Sequence, residues 1–174
     1  MVPARSLLTT DWAANLIHSL AFIPENLLAR KGFSDPQFNN PPGMSAKLEI
    51  GRSYSLQTRV EEWMTAEKAG NKGVDVLSTS MLVQLIENAA IACLEPIAGE
   101  SLVSLGTHID LEHQKPVPVG FIVRTEVEIV MIDGPRVSFA VSVFDEQEAV
   151  AEGTHERYLI EKSKFLAKVE EKLT

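Results

Sequence analysis

An α+β fold is predicted, with one long central helix wrapped by a five-stranded antiparallel sheet. Three features carry the prediction. A nearly all-apolar stretch at helical spacing runs from Met81 to Ile97. Four strand-like runs follow it, about 101–115, 119–132, 135–145 and 148–160, and one precedes it within 46–64. Short turn signals join the later runs, too short for the crossover a parallel pair needs.

In chain order, residues 1–45 read as an N-terminal amphipathic extension and linker. Trp12, Leu16, Leu20, Ile23 and Leu27 lie on one helical face, and Pro24 interrupts it. Turn chemistry follows over Ser34–Gly43. Residues 46–174 form the second region, a folded domain that ends in a charged helix at about 161–172. In 46–64, Tyr54, Leu56, Thr58 and Val60 alternate with polar neighbours. Residues 65–77 are rich in Gly and Lys and read as a loop. Ser78, Thr79 and Ser80 are cap candidates for the helix, and Pro96 and Gly99 close it. Ile132-Asp133-Gly134-Pro135 is a tight-turn signal, and Asp145–Glu148 makes the next turn. Val137, Phe139, Val141 and Val143 show the period of a half-buried antiparallel strand. A sheet of this kind leaves open edges, and pairing them across a two-fold axis predicts a homodimer.

The chain has 174 residues, with 16 basic and 24 acidic side chains and a net charge of −8. Nucleic acid is therefore not an expected partner, because phosphate backbones need a basic surface. No membrane partner is expected either, since charge or Asn interrupts the apolar stretches. Cys93 is the single cysteine, which excludes an internal disulfide and points to a reducing compartment, the cytoplasm. Four His and one Cys form no metal-ligand spacing, so no metal is expected. A serine-nucleophile elbow, a P-loop and a dinucleotide fingerprint are all missing from the sequence.

Three residues stand out. Glu87 is a carboxylate in the middle of the apolar helix, where lone acids are paired, functional, or on an exposed stripe. His113 ends a strand just before Lys115-Pro116, a common place for a catalytic group; a plain surface His is the alternative. Thr79 begins the helix, where a hydroxyl either caps or contacts a substrate. Gly106, inside a strand run, marks a close approach of a ligand or another backbone. His108 and His155 are strand histidines with similar or weaker claims.

Together these residues resemble the fluoroacetyl-CoA thioesterase family of the hotdog-fold thioesterases. The matching pieces are Thr79 eight residues before Glu87, Ser104-Leu105-Gly106-Thr107, His113, Pro118-x-Gly120, Gly153-Thr154-His155-Glu156-Arg157 and the closing Glu161–Lys168. The resemblance implies a hotdog domain that hydrolyses a small acyl-CoA thioester at a dimer interface. It puts Thr79, Glu87 and His113 on the catalytic positions and the Gly106 amide beside the thioester. No cofactor is implied beyond the CoA of the substrate. Lys72, Lys115, Arg124, Arg136 and Arg157 are candidates for holding the CoA diphosphate, with Lys115 and Arg157 favoured. One departure concerns the segment Ala69–Val76, which carries no aromatic residue, so fluoroacetyl selectivity is not expected. The rival readings are a hotdog dehydratase and a non-catalytic acyl-CoA sensor.

Geometry adds one expectation. Eight helical residues rise about 12 Å, so Thr79 and Glu87 of one regular helix cannot touch. Either the chain folds back around Thr79, or two subunits share the site.

Overall fold

The computed structural model describes residues 47–173. The amphipathic segment read within 1–45 lies outside them. The described elements are β1 (Ser53–Arg59), a 3-10 turn (Glu62–Met64), α1 (Thr79–Ala98), β2 (Leu102–His113), β3 (Ile122–Asp133), β4 (Arg136–Phe144), β5 (Ala149–Glu161) and α2 (Lys162–Glu170). All strand pairs are antiparallel, in the order β1-β3-β4-β5-β2. α1 joins the two edge strands and packs on β1, β3 and β2. Five strands around one long helix are therefore observed as expected.

Local chemistry explains the boundaries. The first run is shorter than its alternation suggests, because a turn at Ile50-Gly51 precedes β1 and Gly51 takes φ +87°, a value few side chains tolerate. The same run ends in the 3-10 turn rather than in strand. The β3–β4 hairpin turns at Gly134, with Asp133 opposite Arg136. Asp145 Oδ1 accepts from the amides of Gln147 and Glu148, both at 2.8 Å, and closes the β4–β5 turn. Pro96 does not end α1. It sits inside the last turn, and Gly99 is the C-cap.

The core is the inward face of α1 against the sheet. Leu82, Leu85, Ile86, Ala89, Ala90, Cys93, Leu94 and Ile97 are buried there, against Val123, Val127, Ile129, Phe139, Val141 and Leu159. Burying each large aliphatic side chain contributes about 1.5–3 kcal/mol. Truncating Ile86, which is fully buried, to Ala would cost about 2–5 kcal/mol. By length and mean hydropathy (1.4) α1 has the composition of a bilayer span. Here that apolarity serves the core, and the helix keeps an open stripe through Thr79, Ser80, Gln84, Asn88 and Ile91. β2 and β1 are the two sheet edges; among the described residues, β2 presents 12 residues with one unpaired side.

Candidate active site

The first turn of α1 forms one half of the site. Ser78 is the N-cap, accepting from the Met81 amide at 3.2 Å and touching Ser80 Oγ at 3.1 Å. That relieves Thr79 of capping. Its Oγ1 lies 3.0 Å from His113 Nδ1 instead. β2 ends at His113, so the last inward-facing position of an edge strand delivers the imidazole to the helix start. A cavity of ≈ 390 Å³ opens beside the pair, lined among others by Ala66, Ala69, Asn71, Leu77 and Lys115. Burial lowers the His113 pKa from 6.5, with the Lys115 backbone partly opposing it, so the imidazole is neutral near pH 7. Its Nε2 is buried without a hydrogen-bond partner among the described residues. Such an atom is costly unless a ligand or another chain satisfies it.

Two turns further on, Glu87 forms the other half. Its side chain is 30 % exposed, at the edge of the open stripe, and its Oε2 accepts from Arg157 Nη1. Arg157 is 2 % exposed; its Nε donates to Ser104 Oγ at 3.1 Å and its Nη2 to the Ser104 carbonyl at 2.6 Å. The guanidinium is thus clamped to β2 and holds the carboxylate. A charge pair this enclosed is stable only when its donors find partners, and each guanidinium nitrogen has one here. Gly106 faces Arg157 across the β2–β5 ladder, at a register shift. A Cβ built on Gly106 would land on the Glu87 carboxylate. The close approach marked by this glycine is therefore that of a side chain from its own domain. His155, 1 % exposed, backs the group, with Nε2 3.3 Å from Arg157 Nη1 and 3.6 Å from Glu87 Oε1.

One chain therefore brings Thr79 to His113, and Glu87 to Gly106 and Arg157, but not the two groups to each other. Thr79 is helical, so the chain does not fold back, and the rise of about 12 Å separates it from Glu87.

The profile of the fluoroacetyl-CoA-specific thioesterase family FlK matches residues 60–163. The chain belongs to this family. It is thus an acyl-CoA thioesterase of the hotdog fold. The fluoroacetyl-CoA thioesterase of Streptantibioticus cattleyicolor is 36% identical over 98 residues, 56% of this chain and 70% of that protein. A crystal structure of FlK as a point mutant in complex with acetyl-CoA superposes with TM-score 0.68 at 28% identity, covering 73% of this chain and 100% of that one. A hot-dog-like protein from Thermanaerovibrio acidaminovorans gives TM-score 0.69 at 20% identity, over 73% and 94% of the two chains, and shares the fold.

The segment Ala69–Val76 before α1 carries no aromatic residue. Gly70 and Gly73 take φ +110° and +79° there, and the Gly73 amide donates to the Glu67 carboxylate. The Ala66 amide donates to the Val76 carbonyl at 2.8 Å, which ties the loop across its base. Of the five basic candidates, Lys115 lines the Thr79–His113 cavity and is loosely paired with Glu148 at 3.5 Å. Lys72 is exposed in the loop. Arg124 pairs with Glu126 and lies over the Phe144 ring, and Arg136 pairs with Glu156 at 3.2 Å. Arg157, expected to reach the diphosphate, is instead buried, with its guanidinium committed to Glu87 and Ser104. His155 is the residue that sequence reasoning undervalued. Its signal was parity: His155 and Arg157 alternate in step with buried Leu159 on β5.

Proposed function

We propose that this thioesterase hydrolyses a small acyl-CoA at a site shared between two subunits. Thr79 and His113 come from one chain, and Glu87 with the Gly106 amide from the other. The observation that carries the reading is the pairing of residues within one chain: Thr79 with His113 at 3.0 Å, and Glu87 two turns away on the same straight helix. Val83 lies midway between Thr79 and Glu87. A two-fold axis beside it, with α1 antiparallel to its mate, sets Thr79 level with the partner subunit's Glu87 and repeats the site on the other side. Two features support such pairing: the unpaired edge of β2, and Ile91, an apolar side chain 44 % exposed on the same stripe of α1.

In this arrangement the Gly106 amide donates to the thioester carbonyl, Thr79 polarises or positions the thioester, and Glu87 acts as base or nucleophile. Neutral His113 moves protons between them. Lys115, half-exposed at the cavity, reaches the diphosphate end of CoA. A cytoplasmic location accompanies this reading, because the single cysteine, Cys93, is free and allows no internal disulfide.

Subunit mixing tests the proposal. Thr79→Ala and Glu87→Gln chains, each impaired by about tenfold or more alone, are mixed and reassociated, and thiol release is read over acetyl-, fluoroacetyl- and longer acyl-CoA. A shared site regenerates one intact site per mixed dimer, about one quarter of wild-type activity. No recovery, with dimers verified by light scattering, would show that each site lies within one chain.

A further inference from the structure

His155 lies outside the Thr79, Glu87 and His113 set, yet it is among the most enclosed polar groups in the domain. Its ring stacks on Phe139, with centroids 6.4 Å apart. Nδ1 is 2.9 Å from the His108 carbonyl. A carbonyl only accepts, so Nδ1 carries the hydrogen, and in the neutral ring Nε2 is a bare acceptor. That acceptor meets Arg157 Nη1 at 3.3 Å, the same nitrogen that donates to Glu87 Oε2. Glu87 Oε1, at 3.6 Å, is beyond hydrogen-bond reach of the imidazole.

We propose that His155 is a positioning residue for hydrolysis: held as the Nδ1–H tautomer by His108, it fixes the Arg157 guanidinium and leaves Glu87 Oε1 free to act. The role rests on the reading of Glu87 as base or nucleophile. Protonation would reverse it. An Nε2–H would point at the Arg157 guanidinium and repel it, so the hold on Glu87 would be loosened. The charged groups around the ring are Glu87 from α1 and Arg157 and Glu156 from β5, while β2 contributes only the His108 carbonyl. Burial, the dominant influence, lowers the His155 pKa, and the positive charge of Arg157 adds to that; Glu87, Glu156 and the His108 carbonyl oppose it. The neutral form therefore prevails near pH 7.

Two substitutions separate this role from simple packing. Phe at position 155 keeps the ring and its stacking but offers no acceptor; Gln places a carbonyl oxygen near the Nε2 position. We expect His155→Phe to lower kcat by about tenfold or more with KM within about twofold, and His155→Gln to restore kcat to within about threefold of wild type. Equal losses in both variants, or an unimpaired Phe variant of an active wild type, would overturn the role alone. A wild-type protein that releases no CoA from any substrate in the panel would overturn the hydrolysis reading and this role with it. Should the Phe variant fail to fold, imidazole 15N NMR of the wild type decides. A neutral Nδ1–H tautomer for His155 across pH 6–8 supports the role, and an Nε2–H or protonated ring at pH 7 overturns it.

Discussion

At the first turn of α1, Thr79 and His113 meet beside an open cavity walled by a loop of small residues. Two turns along the same helix, Glu87 meets Arg157, His155 and Gly106 under the β2–β5 ladder. The first half is held by one cap, one hydrogen bond and the end of an edge strand. The second is a closed ionic group in which each member restrains the next. A hydroxyl–imidazole pair needs only proximity, whereas a carboxylate at this depth needs a fixed counter-charge. Damage should therefore spread differently in the two halves.

The largest effect is expected in the closed half. Glu87→Gln keeps shape and hydrogen bonding but removes the basic and nucleophilic oxygen, so kcat should fall at least about 100-fold in a thiol-release assay, with KM little changed. A change of less than about twofold would remove Glu87 from the mechanism and favour a non-catalytic acyl-CoA sensor. Gly106→Ala comes next. Its methyl must displace the carboxylate, so kcat/KM should fall by about tenfold or more, and a wild-type rate would contradict the close approach.

The open half offers a paired test. Thr79→Ala should cost activity by about tenfold while changing stability by under about 0.5 kcal/mol, because Ser78 is the cap. Ser78→Ala should do the reverse: about 1 kcal/mol of stability and little rate. Denaturant melts beside steady-state kinetics read both, and the opposite assignment would make Thr79 structural.

A pH effect on stability follows from the two histidines. His113 and His155 both have lowered pKa values in the folded chain. The unfolded chain then binds more protons than the folded one below about pH 6.5, so this contribution is full above 6.5 and is lost as pH falls through the lower folded values. Melting temperature should drop between pH 7 and 5, and less so in His155→Gln. The smallest expected effect concerns selectivity. With no Phe, Tyr or Trp lining the cavity among the described residues, kcat/KM for fluoroacetyl-CoA over acetyl-CoA should stay below about 1,000, or some 4 kcal/mol of transition-state discrimination.

The element order and the buried face of α1 were legible because a period of 2 or 3.6 is written locally. Glu87 was legible as an anomaly but not as a role. Periodicity left open whether it was a paired, functional acid or lay on an exposed stripe, and both alternatives hold in part: its carboxylate is 30 % exposed and tied inward to Arg157. Thr79 was ambiguous for a similar reason. Three adjacent hydroxyl-bearing residues can each cap, and only backbone geometry selected Ser78.

Sequence by itself therefore determined the fold class, the helix at the centre of the core, the strands and their turns, and the residues worth watching. These follow from side-chain chemistry and local spacing. Tertiary structure decided the pairings: Thr79 with His113 across 34 positions, and Glu87 with Arg157 across 70. It also moved Arg157 from an expected phosphate contact to a buried counter-charge and gave His155 a tautomer. Such facts depend on which strands become neighbours and on the register between them, and no local pattern encodes either.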